Sequence, residues 1–182
     1  MNKVVKGAMA TAAGVALLLG GAGTFALWTD SESVAAGTIQ SGTLSLTSSS
    51  TPQWRNIASD VPDAERNISD ISTYRIAPGD KLELTQTLLV DATGDNLRAR
   101  LSLDESTITG GLKQYVTPVL SVTGTGVSDT STANAYDIAT SAGPNPVTIT
   151  VVIDFPATVS GTGGQAAELV LSDLGFTLTQ LR

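Results

Sequence analysis

The 182-residue chain contains no cysteine and no histidine. The first absence removes disulfides, so a chain bound for an oxidising compartment has to be held by core packing, by metal or by self-association. The second removes a required member of zinc hydrolase sites, Ser-His-Asp triads and Cys-His pairs. Few enzyme classes survive both. Aromatic residues are scarce, with two Trp, three Tyr and three Phe, which leaves little material for a concave aromatic binding platform. Basic residues are scarce as well: ten Lys and Arg stand against 17 Asp and Glu, for a formal net charge of -7. Nucleic acid and anionic lipid both need a basic footprint, so neither is expected as a partner.

The N-terminus is organised differently. Lys3 and Lys6 precede a span with no charge before Asp30, centred on the apolar run from Gly14 to Gly20. A basic start, a short apolar centre and small residues before a cut describe a secretory signal peptide. A retained anchor competes, because the uncharged span reaches the roughly 20 residues that cross a bilayer. Gly and Ala fill much of that span, and its strongly apolar part is nearer the roughly 7 to 15 residues of a signal core. Cleavage after Ala26 places Thr24 and Ala26 as the small residues before the cut, so residues 1–26 are the signal and the mature chain begins Leu27-Trp28. Membrane contact is then expected only through the uncleaved signal.

Beyond it, apolar residues alternate with polar ones. Val147, Ile149, Val151, Ile153 and Phe155 share one side of an extended chain, with Thr148, Thr150 and Asp154 on the other. Leu97, Ala99, Leu101 and Leu103 oppose Arg98, Arg100 and Ser102, and Leu82, Leu84, Leu88 and Val90 repeat the logic. Each run predicts a half-buried antiparallel strand. Val116, Leu120 and Val122 form another, and Pro118 within it marks an edge or a bulge. Leu169 and Leu171 are out of phase with Leu174, Phe176 and Leu178, which predicts a bulge at Ser172-Asp173. Turn residues punctuate these runs, at APGD, DATGDN, TGTG and GTGG among others.

The fold expected is all-β, a jelly-roll-like antiparallel β-sandwich over residues 38–182, preceded by an extended segment at 27–37. Residues 48–72 are polar and irregular, and read as a loop with one helical turn near Asp60, which would cap it, and Pro62 in its first turn.

Carboxylates are the only catalytic material in quantity. Asp60, Asp63 and Glu65 cluster, as do Asp91 with Asp95 and Asp104 with Glu105. Such groups on loops read as solvated surface, and no catalytic, cofactor or metal site is expected. Residues 91–96 carry oxygen ligands around a glycine and could contact Ca²⁺, but they lack the EF-hand pattern, and a turn between strands explains them equally well. Asn67-Ile68-Ser69 fits a glycosylation triplet and is assigned no role.

An ordered set of short motifs covers the N-terminal half. Gly23, Thr24, Phe25, Ala26, Trp28 and Asp30 come first, then Ser41, Gly42, Leu44 and Leu46, then Pro78, Gly79 and Asp80. In this order the chain resembles the TasA and camelysin family of secreted biofilm-matrix proteins. The resemblance implies an exported jelly-roll subunit, released by a dedicated signal peptidase, that self-associates into extracellular fibres by donor-strand complementation. In that mode the freed segment 27–37 of one subunit completes a sheet of the next, with Trp28 and Val34 as anchors on one side of the strand. Alternatively, Trp28 folds back on its own domain or sits at a membrane interface. Some family members are labelled metalloproteases; this chain has neither His nor the HExxH motif. A monomeric surface-binding module is the alternative from another class.

Mass spectrometry of exported protein is expected to find the N-terminus at Leu27 or within a residue or two of it. An intact Met1 in the extracellular fraction would overturn the signal reading.

Overall fold

The computed structural model describes residues 38–63 and 66–181. The chain divides into two units, Met1–Ile39 and Gln40–Arg182, and the second carries all the strands described. The cut at Ala26 and Leu27, the anchors Trp28 and Val34, and Glu65 lie outside the described residues.

Ten strands form: β1 (Thr43–Ser48), β2 (Gln53–Asn56), β3 (Asn67–Ile68), β4 (Lys81–Thr93), β5 (Arg98–Asp104), β6 (Thr117–Gly124), β7 (Val127–Asp129), β8 (Ala135–Ala139), β9 (Asn145–Asp154) and β10 (Gly175–Leu181). They make two antiparallel sheets, one ordered β3-β2-β4-β9-β6 with β1 also on β4, the other β10-β5-β8-β7. Both sheets contribute to a single apolar core, so the fold is an all-β sandwich. The alternation read from the sequence is the packing. Val147, Ile149, Val151 and Ile153 are essentially fully buried, and Leu82, Leu84, Leu88 and Val90 meet them from the neighbouring strand. Leu101 and Ile138 close the core from the other sheet. Pro118 lies in β6, which pairs only with β9 and is an edge strand, where a missing N–H costs no ladder bond.

Two expectations are corrected. Residues 48–72 are not simply a loop, because they supply β2 and β3. Strand β2 escapes an apolar-period reading because its innermost residue is Asn56, fully buried and polar. The phase change after Leu171 is a turn, not a bulge: Leu174 N–H donates to Leu171 O at 3.2 Å, and the strand begins only at Gly175. Before that turn, Val170 makes an isolated bridge with Thr109.

Strands β1 and β2 run end to end along β4. Between the pairs Ser48↔Leu88 and Gln53↔Thr85, the β1–β2 side advances five residues while β4 advances three. The two-residue excess preserves the face, so Leu44, Leu46, Trp54 and Asn56 all turn inward. Serines close the break: Ser49 N–H donates to Thr87 O at 3.0 Å, and Thr87 N–H donates to Ser50 Oγ at 2.9 Å. Gln86, an inward position on β4 beside this break, donates to Ser50 O at 2.8 Å. That contact explains the polar residue between Leu84 and Leu88.

The turn at Ala77–Asp80 aims β4 back across the sheet. Pro78 presets its second position, and Gly79 takes the third at φ +106°, with Asp80 N–H donating to Ala77 O at 3.0 Å. Asp80 Oδ2 accepts from Ala77 N–H at 2.7 Å, and its Oδ1 accepts from Asn56 Nδ2 at 2.7 Å. The same Asn56 amide donates to Tyr74 Oη at 2.8 Å, and Asn56 Oδ1 accepts from Ala58 N–H at 3.0 Å. The buried amide is thereby satisfied on every side, which is what makes its burial tolerable.

A Cβ at Gly79 would meet only the Ala157 Cβ, at 3.8 Å. The cost of a side chain there is therefore conformational. Gly79→Val is expected to lower stability by about 1 kcal/mol or more, read as a melting temperature lower by roughly 2–4 °C or more.

On the outer face of the second sheet, Asp137 is 17% exposed and receives Arg100 in a bidentate pair, Nε to Oδ1 at 2.7 Å and Nη2 to Oδ2 at 3.2 Å. The Arg100 hydrogen bond holds the Asp137 carboxyl below its ordinary value. A carboxylate depressed by folding adds stability that is fully present above the unfolded value, near about 4, and lost as pH falls through the folded value. Chemical denaturation of wild-type protein should therefore show stability falling below about pH 4, and Asp137→Asn should flatten that part of the profile.

Candidate functional site

Asp104, Glu105 and Asp63 serve local structure, whereas Asp91 Oδ1 is buried with no hydrogen-bond partner among the described residues. Asp104 accepts from Ser106 N–H at 3.0 Å and from Ser106 Oγ at 2.6 Å, and these bonds hold its carboxyl below the ordinary value. Glu105 receives Asn134 Nδ2 at 2.6 Å, and Asp63 pairs with Arg66 at 3.2 Å. Residues 91–96 end β4 and turn toward β5, with Gly94 at φ +142° and Leu97 N–H on Gly94 O at 3.2 Å. Among the described residues no three acidic side chains are placed to share a metal ion.

The feature that the sequence did not disclose is a groove of about 1100 Å³. Its walls are residues 71–78, which lead into β4, and residues 161–172, which lead toward β10. Its floor is apolar, made by Trp54, Leu82, Leu112 and Phe155. A smaller recess of about 180 Å³ shares Trp54 and Leu171 with it and continues to Leu174 and Phe176 at the start of β10.

Glycine lets the second wall lie on the floor. Gly164, at φ +75°, would bring a Cβ to 3.0 Å from Leu112 Cδ2 and 3.2 Å from Phe155 Cζ. After a turn that ends at Ala166, φ +54°, residues 168–170 are bonded on one side: Val170 exchanges bonds with Thr109 at 2.8 and 3.2 Å, and Leu112 N–H donates to Glu168 O at 3.0 Å. Because N–H groups alternate along an extended chain, those of Leu169 and Leu171 point the other way. Neither bonds to another described residue, and on the opposite wall neither do the N–H groups of Arg75 and Ile76. The groove thus combines an apolar floor with walls that each carry backbone N–H groups bonded to no other described residue. Among the described residues Arg75 and Glu168, both exposed, are the only charged ones lining it, and Arg75 has no ion-pair partner there.

The turn Pro78-Gly79-Asp80 singled out from the sequence ends one wall. Through Asn56 and Tyr74 it fastens that wall to β2. Sequence reasoning took the glycines of 161–164 as turn punctuation, which they are, and missed the wall they build. The available signal was length: the stretch between β9 and β10 spans some 20 residues without a strand, and loops beyond about 12–15 residues are usually functional.

The β6 edge of the first sheet is blocked at Pro118 and Leu120. On β6, Pro118 has no N–H, and Asn134 imitates a neighbouring strand by accepting from Leu120 N–H at 2.7 Å and donating to Pro118 O at 3.2 Å. Tyr136 Oη takes Leu120 O at 3.2 Å. Asn134 reaches both groups from a left-handed backbone, φ +55°, which asparagine tolerates better than most residues. Compared with known proteins, the chain matches no family model, no curated protein and no solved structure.

Proposed function

We propose that this protein is a secreted structural subunit that polymerises into extracellular matrix fibres by donor-strand complementation, the segment 27–37 of one copy filling the groove of the next. The observation that carries the reading is the groove itself, an apolar trough whose two walls carry backbone N–H groups bonded to no other described residue. An extended peptide is the ligand that satisfies both features at once, with main-chain bonds to the walls and side chains on the floor.

The strand order supports the finer reading of a jelly roll. With β1 and β2 counted as one interrupted strand and β3 set aside as a two-residue edge, the succession has eight members. A jelly roll nests pairs of strands: second with seventh, third with sixth, first with eighth. Here β4 pairs with β9 and β5 with β8, the second-seventh and third-sixth pairs. The first-eighth pair is missing, because β1 lies on β4 and β10 pairs only with β5. The outer edge of β10 is consequently open, and the groove and recess lead to it. A strand received from another copy would take this place.

The order of motifs shared with the TasA and camelysin family agrees with this reading, as does the N-terminal signal pattern. Filling the groove in cis would give a monomer, and filling it in trans gives a head-to-tail contact that does not close, hence a filament. Electron microscopy of mature protein beginning at Leu27 is expected to show filaments. Deletion of residues 27–37 should leave a folded domain that stays monomeric, and Trp28→Ala should weaken assembly more than it lowers the melting temperature. Normal filaments from the deletion variant would overturn the proposal.

A further inference from the structure

The sequence of the incoming segment sets a problem for the groove. Residues two apart on an extended strand share a side, so Trp28 and Val34 cannot face the floor without Asp30 and Glu32, which lie between them, facing the same way. Two carboxylates carried toward an apolar floor of Trp54, Leu82, Leu112 and Phe155 would lose their hydration, a cost that only a cation or strong donors can offset.

We infer that Arg75 is the receptor for these carboxylates and that its pairing with Asp30 and Glu32 fixes the register of the incoming strand. This rests on the donor-strand reading. Among the described residues Arg75 is the only cation lining the groove, it is exposed, and no acidic residue pairs with it. Its guanidinium presents five donors in a planar fork, enough for one bidentate carboxylate or for two carboxylates bound singly. A lysine would offer a point charge without that geometry.

The opposite wall works in the reverse sense. Glu168 is the only acidic residue among the described residues lining the groove, and it repels a strand that leans its acidic side toward 161–172. One wall attracts and the other rejects, so the carboxylates are directed to the Arg75 side. Register matters because main-chain bonds alone are indifferent to a slip of two residues, which preserves the face. Such a slip moves Trp28 along the floor by about 7 Å. With the arginine in place, it would also carry one carboxylate past its partner.

The test uses mature protein, with assembly followed by light scattering and electron microscopy and the fold checked by thermal melting. Arg75→Glu should slow assembly by roughly tenfold or more without moving the melting temperature, since Arg75 is exposed and makes no ion pair with a described residue. The double variant Asp30→Lys with Glu32→Lys should be slowed similarly. Combining all three substitutions restores a complementary pair and should recover most of the wild-type rate. In wild type, added salt should slow assembly, because exposed ion pairs are screened.

If Arg75→Glu assembles at the wild-type rate while the 27–37 deletion does not assemble, the charge-register inference fails and the donor-strand reading stands. If the deletion variant also forms filaments, the donor-strand reading itself fails. Loss of assembly in the triple variant equal to that in Arg75→Glu alone would likewise overturn the pairing of Arg75 with Asp30 and Glu32.

Discussion

The ladder between β4 and β9 is the constraint on which the rest of the molecule depends. Ten residue pairs, from Lys81↔Asp154 to Val90↔Asn145, hold these strands together, more than any other pair of strands in the described fold. Their inward positions are almost wholly apolar, so the pairing buries a continuous seam of Leu, Val and Ile beneath the second sheet. A one-residue slip would turn that seam to solvent, which makes the register strongly specified. Everything else is attached to it: β1 and β2 on the far side of β4, β6 on the far side of β9, and the second sheet over the seam. Gln86 is the exception at an inward position, and it sits where the partner chain of β4 is interrupted and needs a donor.

What this ladder supports on its β4 side is an incomplete wall. The residues before β4 cannot be positioned by apolar packing alone, since they bound the groove on one side and solvent on the other. They are positioned by hydrogen bonds. Asn56, fully buried, reaches both Tyr74 and Asp80, and Asp80 in turn holds Ala77 N–H. This small network tethers residues 74–80 to β2 at two points and leaves Arg75 and Ile76, between the points, with backbone N–H groups that bond to no other described residue. A buried amide with all its groups bonded resists displacement, because breaking one bond leaves another group desolvated and unpaired. The wall is rigid where it is anchored and available where it faces the groove.

Local alternation made β4, β5 and β9 legible in the sequence, because each buries one face against a core that asks only for apolar side chains. Strand β2 was illegible for the opposite reason. Its inward residues are Trp54 and Asn56, and the second is acceptable there only because Asp80, 24 residues further on, supplies its partner. No local window contains that fact. The segment before β10 was legible in composition and not in geometry: Leu169, Leu171, Leu174 and Phe176 all pack against the core, as the apolar set requires, but a turn between Leu171 and Leu174 produces the phase change that a bulge would also produce. The motif Pro78-Gly79-Asp80 was legible as a turn, and the role of its aspartate as a tether was not, since that role depends on Asn56 and Tyr74. The groove follows the same rule, because its walls come from segments some 90 residues apart.

The two sides of the first sheet are treated in opposite ways, and the contrast bears on how copies of the chain can associate. An unprotected edge recruits any extended chain, including the wrong one. On β6 the available groups are removed one by one: Pro118 has no N–H, Asn134 occupies Pro118 O and Leu120 N–H, and Tyr136 occupies Leu120 O. Two further edges are nearly too short to matter, β3 with two residues and β7 with three. The long open edges that remain, β1 and β10, approach each other on the side of the sandwich to which the groove leads. Under the donor-strand proposal, one receptive side and one donated segment per copy give a linear succession of like contacts. Side-to-side pairing through β6 is opposed at Pro118 and Leu120 by the proline, Asn134 and Tyr136 together.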